Sequence, residues 1–380
     1  MKIIADTNIP FVKECFASMG EVVLVPGRQM TAQIVRDADA LLVRSVTPVN
    51  TALIEGSRVK FVATATIGFD HVDRAYLDSH GIGFASAPGS NANSVGEYIV
   101  AAMHVIAMKK GFKLEGKSLG IVGVGNVGSR VAKKAQALGM KVVLNDPPLA
   151  RQSGDAKYRR LEELFSCDFI TFHVPLNKGG QDNTYHLVNE KLFASFKPGI
   201  VFINSSRGAV METAAVKGTI RTGKLSACIL DVWENEPNID AELLSMVDIA
   251  TPHIAGYSYD GKVAGMIMIY EAFCRHFGTR PVHTIEDFLP APLVPKLDID
   301  GRSEPEQAIV HNTVKKLYDI MADDAGTRKI LSLPKEEQGK HFDKLRKDYP
   351  IRREFQNTRV VPKNASDSLA TKLRGIGFKV

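Results

Sequence analysis

Three side chains in the second half of the chain are of the types needed to move a proton and hold a carboxylate. They are Arg207 in Asn204-Ser-Ser-Arg-Gly208, Glu236 in Asp231-Val-Trp-Glu-Asn-Glu-Pro237 and His253 in Thr251-Pro-His-Ile-Ala-Gly256. A guanidinium offers a planar fork that fits a carboxylate and can polarise an adjoining oxygen. An imidazole, ordinarily titrating near 6.5, can take a proton in one direction and return it in the other. A carboxylate bonded to its far nitrogen fixes the tautomer and steadies the imidazolium. Glu234 competes with Glu236 for this last duty, and spacing alone does not choose between them. Together the three suit interconversion of a hydroxyl and a carbonyl beside a carboxylate, a reaction that also needs a hydride carrier.

A place for the carrier lies upstream. The run from Leu119 to Gly128 is a short apolar stretch followed by Gly123, Gly125 and Gly128 at G-x-G-x-x-G spacing, with Asn126 and Val127 between the last two. The first glycine permits a tight turn, the second lets backbone approach a pyrophosphate and the third lets a helix pack on its strand. A helix is expected from Ser129 to Leu138, its N-terminus favouring the anion. A second apolar run, Lys141 to Leu144, ends at Asp146, where a carboxylate should accept hydrogen bonds from a ribose. The same charge repels a 2′-phosphate, and no Arg follows it immediately, so the expected cofactor is NAD rather than NADP.

These residues need a scaffold. Short β-like runs at Lys2–Ala5, Glu21–Val25, Ala40–Val43 and Val59–Ala63 alternate with helical or turn segments. The rhythm resumes at Gly120–Val124 and continues through Lys141–Leu144, Phe169–Val174, Ile200–Asn204 and Ala227–Val232. Such alternation predicts two α/β units with parallel sheets. Asn93–Lys110 reads as one long helix between them, Gly261–Phe277 as another and Glu306–Ala322 as a third, while the Pro-rich Leu289 to Pro295 reads as a linker. Arg207 follows the Ile200–Asn204 run and His253 follows a further short run, Val247–Ala250, so both fall at the ends of predicted strands, where open parallel sheets bind ligands.

Composition excludes several classes. The 380 residues, 44% hydrophobic and 24% charged, suit two or three globular domains. No apolar run approaches the roughly 20 residues that span a bilayer, and no long apolar leader stands at the start. The expectation is a cytoplasmic protein with no membrane partner. Cys15, Cys167, Cys228 and Cys274 form no C-x-x-C pair and read as buried apolar side chains, so no metal is expected. The net charge of +6 is concentrated at the end, where residues 291–380 hold 18 Lys and Arg against 13 Asp and Glu. The densest part, Lys340 to Arg353, interleaves Phe342, Leu345, Tyr349 and Ile351 and reads as a folded surface, not a nucleic-acid arm.

In these segments the chain resembles the D-specific 2-hydroxyacid dehydrogenases. That family's glycine loop with its downstream Asp, its N-x-x-R-G, D-V-x-x-x-E-P and P-H-I-A-G segments all stand here in order, as Gly123 to Asp146, Asn204 to Gly208, Asp231 to Pro237 and Pro252 to Gly256. The resemblance selects Glu236 over Glu234. It narrows, over nearly the whole chain, to a branch acting on a small phosphorylated hydroxy acid, through Ala5–Pro10, Asp39–Thr47, Ala65–Asp73, Ala87–Ala92, His253–Ser258 and Tyr349–Phe355. It implies catalytic roles for Arg207, Glu236 and His253, substrate contacts for Ser45, Thr66, Arg207 and Tyr257, and cofactor contacts for Val174, Ser205, Ser206, Asp231 and Gly256. Thr7, Ser90 and Val174 depart from the pattern, standing where an acidic residue, a cysteine and a threonine are common.

The implied architecture is a flavodoxin-like substrate lobe of residues 1–97 with 257–285, a Rossmann NAD-binding lobe of residues 98–256, and a smaller C-terminal α+β domain of residues 286–380 that makes a homodimer. A cleft that closes over substrate would belong to such a fold. Arg352 and Arg353, in the basic tail, are expected to attract or hold the substrate phosphate, or else to form a solvated face. Two alternatives keep the same residues: a sister dehydrogenase acting on phosphoglycerate or a simple hydroxy acid, and a non-catalytic NAD-sensing protein of the corepressor kind.

Overall fold

The computed structural model describes residues 1–380 and divides into two compact units, Met1–Asn91 with Ser258–Ala291, and Ala92–Tyr257 with Pro292–Val380. In the first, strands β1 (Lys2–Asp6), β2 (Glu21–Val25), β3 (Ala40–Val43), β4 (Phe61–Thr64) and β5 (Gly83–Ala85) form one parallel sheet in the order β2-β1-β3-β4-β5. All four positions of β3 and of β4 are buried, the expected result for strands covered on both faces, and it explains why Ala-Leu-Leu-Val and Phe-Val-Ala-Thr carry no polar alternation. Ile3, Ala5, Leu42 and Phe61 point to the Tyr259–Phe277 helix, meeting Met266, Tyr270 and Phe273. Ile4, Leu41, Val43 and Val62 cover the opposite face with Val35, Ile54 and Leu77. The strand order reverses between β1 and β3, so Ser45, in the loop after β3, lies where such sheets bind ligands, while Thr66 follows the next strand, β4.

The second unit holds β6 (Ser118–Val122), β7 (Lys141–Asn145), β8 (Phe169–Phe172), β9 (Ile200–Asn204), β10 (Leu225–Leu230) and β11 (Ile249–Ala250), all parallel, in the order β11-β10-β9-β8-β6-β7. A seventh position survives beyond β7: Tyr158 bridges Leu144 in parallel, and the Arg159 N–H donates to the Leu144 carbonyl at 2.6 Å. Counting that vestige as the third strand gives 3-2-1-4-5-6-7, the Rossmann order 3-2-1-4-5-6 with β11 added at the far edge and the reversal beside the glycine strand β6. The Ala92–Lys110 helix, buried through Tyr98, Ile99, Ala102, Met103 and Ile106, packs against the Asn126–Ala137 helix that follows the glycine loop.

The C-terminal residues add a small layer to this unit. β12 (Lys296–Asp300) pairs in parallel with β13 (Arg359–Lys363), and Ile309, Val310, Leu369, Leu373 and Ile376 share one apolar core with Ile99, Val131 and Ala135. The single helix expected over Glu306–Ala322 is two helices, Glu306–Leu317 and Ile320–Arg328. Tyr318 breaks the run in extended backbone, and the Asp319 carboxylate accepts from the Met321 N–H to start the second helix. All four cysteines are buried and unpaired. No helix is long and apolar enough to cross a membrane.

One expectation for the basic tail is corrected. Arg352 does not face solvent: it is 5% exposed, its Nη1 pairs with Glu97 Oε2 at 3.1 Å, and its guanidinium lies 4.3 Å from the Tyr318 ring centre. The Tyr349–Phe355 stretch folds inward against the Ala92–Lys110 helix, where the Phe355 N–H and Asn93 Nδ2 also donate to Glu97 and Ser94 Oγ donates to Glu354. Arg353 instead donates to Asn357 Oδ1.

Candidate active site

The glycine loop has the geometry its spacing implies. Gly123 has φ +86°, and a Cβ there would stand 2.5 Å from the His173 carbonyl oxygen, so only glycine suits both backbone and space. A Cβ on Gly128 would meet the Gly123 oxygen at 2.0 Å, which is the close helix approach that the third glycine permits. A Cβ on Gly125 would meet nothing within 4 Å, leaving one open side at the N-terminus of the Asn126–Ala137 helix. Asp146 stands at the end of β7, its Oδ2 accepting from the Val124 N–H at 2.8 Å and its Oδ1 from the Leu149 N–H at 3.0 Å. One carboxylate therefore ties the loop to the next helix, with lone pairs to spare for a ribose. These residues fit a dinucleotide.

Arg207, Glu236 and His253 come together in the same unit. Glu236 Oε2 lies 2.7 Å from His253 Nδ1, and Glu236 Oε1 accepts from the Trp233 N–H at 2.9 Å. Glu234 is engaged elsewhere, by His186 Nε2 at 2.8 Å and the Thr213 N–H at 2.8 Å. Geometry thus makes the choice that spacing left open. Burial pushes the Glu236 carboxyl up, but the charge and hydrogen bond of His253, the Arg346 guanidinium and the Trp233 N–H outweigh it and hold Glu236 below the usual range. Glu236 is then a carboxylate at neutral pH, as an acceptor for Nδ1–H must be.

The loop carrying His253 is pinned from beneath. His253 has left-handed backbone, φ +58°, uncommon for a residue other than glycine and costing on the order of 1 kcal/mol. Asp231 at the end of β10 holds it there. Its carbonyl accepts from the His253 N–H at 2.7 Å; its Oδ1 accepts from the Ile254 N–H at 2.8 Å and Thr251 Oγ1 at 2.6 Å; its Oδ2 accepts from the Ala255 N–H at 3.0 Å. Tyr98 and the Trp233 indole complete the frame through Thr251. Asp231, expected to line the cofactor, thus also positions His253, a duty no spacing rule reveals.

The N-S-S-R-G turn is built the same way. Buried Asn204 at the end of β9 accepts through Oδ1 from the Ser206 N–H and hydroxyl and donates through Nδ2 to the Arg207 carbonyl. A Cβ on Gly208 would lie 1.9 Å from the Trp233 oxygen, so glycine lets the Arg207 turn lie on the backbone next to Glu234. The Arg207 Nη1 donates to the Ser206 carbonyl at 2.8 Å. Arg207, Glu236 and His253 line one cavity of about 320 Å³ with Leu176, Tyr185 and Trp233.

Among the other expected residues, Val174 approaches Gly123, its Cγ1 2.9 Å from where a Cβ would stand. Ser205 Oγ lies 3.5 Å from His173 Nδ1, and His173 is pulled down to about 3 by burial, so that ring is neutral at physiological pH. Gly256 and Tyr257 end the His253 loop, the Tyr257 ring meeting Tyr349 edge-on at 5.7 Å. Ser45 and Thr66 belong to the other unit. Ser45 is exposed, and Thr66 Oγ1 shares hydrogen bonds with Thr64 Oγ1 and the Gly68 carbonyl.

A dinucleotide cradle on a doubly wound sheet, joined to an Arg–Glu–His group at its strand ends, defines a nicotinamide-dependent dehydrogenase of hydroxy acids, and the chain belongs to the D-isomer specific 2-hydroxyacid dehydrogenase family. Residues 99–255 match that family's NAD-binding domain, and residues 288–377 match a domain of unknown function. More particularly, the chain is 46% identical over 380 residues, 100% of its length and 99% of the relative's, to erythronate-4-phosphate dehydrogenase of Proteus mirabilis. It is 44% identical to the enzyme of the same name from Shigella flexneri, covering 100% of this chain and 98% of that one. Among solved structures, NAD⁺-bound 3-phosphoglycerate dehydrogenase of Entamoeba histolytica superposes with a TM-score of 0.62 at 26% identity, over 75% of this chain and 99% of that one.

Proposed function

We propose that this protein oxidises 4-phospho-D-erythronate to 2-oxo-3-hydroxy-4-phosphobutanoate with NAD, a step in pyridoxal 5′-phosphate biosynthesis. The 2.7 Å contact between Glu236 and His253, in one cavity with Arg207, carries the chemical part of this reading. The full-length similarity to enzymes named for that substrate carries the choice of acid.

The roles follow from the atoms. Arg207 presents its fork to the substrate carboxylate and the adjoining C2 oxygen, fixing the direction of the C2–H bond. His253, its Nδ1 held by Glu236, presents Nε2 to the C2 hydroxyl and takes the proton as the carbonyl forms. Glu236 stabilises the imidazolium thus made, and Asp231 holds the loop so that no reorganisation is needed. NAD, when bound, would supply the hydride acceptor for C2. Gly123, Gly125, Asn126, Val127 and Gly128 would hold the pyrophosphate, Asp146 the ribose, and Val174, Ser205, Ser206, Asp231 and Gly256 the nicotinamide half. Ser45, Thr66 and Tyr257 would complete the substrate site. The lobes would be residues 1–97 with 257–285 and 98–256.

The same reading makes residues 286–380 a dimerisation domain of a cytoplasmic enzyme, supported by apolar Leu293 and Ile351, 86% and 48% exposed. Light scattering should then give twice the chain mass of 41.5 kDa, and a monomer at micromolar concentration rejects that assembly. Substrate choice is tested by a panel of hydroxy acids followed through NADH formation. 4-Phospho-D-erythronate should exceed 3-phosphoglycerate and D-lactate in kcat/KM by at least about tenfold; a preference for either of the others makes this a sister dehydrogenase.

A further inference from the structure

The helix Lys335–Lys347 of the C-terminal segment lies on the loop that carries Glu236. A Cβ on its Gly339 would stand 2.4 Å from Asn238 Oδ1 and 3.4 Å from Pro237 Cγ, and Phe342, one turn on, is fully buried in the same core as Trp233. Arg346, a further turn along, brings its guanidinium 5.8 Å from the Tyr257 ring centre and 5.9 Å from that of Phe342. Tyr349 meets Tyr257 edge-on, its ring centre 5.7 Å away. The helix therefore grips both chain segments that flank the acid–base pair: Pro237, next to Glu236, and Tyr257, four residues after His253.

We propose that Arg346 is a positioning residue for the reaction, a fixed cation supplied by the C-terminal segment that holds Tyr257 in place and acts through space on the Glu236 carboxylate. An arginine suits the task because it stays charged at every working pH and can bond a phenol oxygen and lie against a ring with the same plane. The interaction runs both ways, since Tyr257 and Glu236 are among the groups that stabilise the Arg346 charge, with Asp343 a lesser contributor. The charged and titratable groups facing Glu236 are His253 through its hydrogen bond and Arg346 through space, while neighbouring Glu234 is taken by His186. The C-terminal segment thereby does more than add surface: it sets the electrostatics of the acid–base pair.

The inference rests on the proposed dehydrogenase activity, and the test keeps the two apart. The wild type, Arg346→Met and Arg346→Lys are assayed with 4-phospho-D-erythronate and NAD from pH 6 to 10, alongside melting temperature and NAD affinity. Removing a cation eases protonation of its neighbours, so in Arg346→Met the acid limb of kcat/KM should move to higher pH by about half a unit or more, with kcat reduced and NAD affinity within about twofold of wild type. Arg346→Lys should return the limb most of the way. A loss in Arg346→Met that is uniform across pH and tracks melting temperature overturns the proposal, as does a limb that does not move. An inactive wild type overturns the activity itself.

Discussion

At the scale of single residues, the decisive contact is that of His253 with Glu236. His253→Ala should lower kcat by about 10²- to 10⁴-fold, the range for loss of a general acid–base group, while NAD titration by fluorescence still shows binding. Glu236→Gln keeps the side-chain volume but removes the carboxylate that steadies the imidazolium, so kcat should fall by about 10²-fold or more. Glu234→Gln, whose parent caps Thr213 and pairs with His186, should cost stability of about 1 kcal/mol and leave the kcat–pH profile in place. Equal losses of turnover in the two glutamate variants would contradict the division of labour. The types of these residues were legible in the sequence because strand-end Arg, His and carboxylate side chains are informative by chemistry alone. The choice between Glu234 and Glu236 was legible only through the family resemblance, since two positions on a short loop differ by a rotation of backbone that no spacing specifies.

At the scale of elements, the glycine loop and the His253 loop differ in how visible they were. Gly123, Gly125 and Gly128 are conspicuous by their spacing, and around Gly123 and Gly128 the space excludes any other side chain. The β10 end is quieter: Asp231 looks like any strand-end acid, yet it accepts three hydrogen bonds through its side chain from the His253 loop. Asp231→Ala would leave three buried donors without an acceptor, and stability should fall by about 3 kcal/mol or more, read as a drop in denaturant midpoint together with lost turnover. An unchanged midpoint contradicts the pinning role. Strands with continuous apolar runs, β1 to β4 and β6 to β10, were readable within a residue or two. β5, β12 and β13 were not: β5 is three residues at a sheet edge, and β12 is a charge-rich strand with no fully buried position. The break at Tyr318 was hidden because the apolar period of Glu306–Ala322 continues through it, and a local cap at Asp319 overrides that period.

At the scale of the whole molecule, a buried charge cluster ties the C-terminal layer to the nucleotide-binding unit. Glu97, Glu354, Lys134 and Arg352 meet there, and the Lys134 ammonium donates to the Ile376 carbonyl. Burial and the neighbouring Glu354 push the Glu97 carboxyl up to about 8, against Lys134 and Arg352. The sign of the consequence is fixed. An acid that holds its proton more tightly folded than unfolded stabilises the fold fully below its unfolded value near 4.5 and progressively loses that contribution as pH rises toward about 8. Melting temperature should therefore decline between pH 6 and 9, and Glu97→Gln should flatten the decline; a steeper fall in that variant contradicts the assignment. Above about pH 8, where Glu97 is ionised, Arg352→Met should cost about 3–5 kcal/mol, because it strands that buried carboxylate without its cation. The tail's net positive charge was visible in the sequence, but its folding inward was not, since composition does not distinguish a charged face from a charged interior.

The central claim is that Arg207, Glu236 and His253 form one reacting group beside bound NAD. Its most direct test is NADH formation from 4-phospho-D-erythronate by the wild type and by His253→Ala, with NAD affinity measured on both. The account predicts saturable turnover in the wild type, its near-complete loss in the variant and equal affinity for NAD. An NAD-binding wild type that turns over no hydroxy acid, or a variant as active as its parent, contradicts it.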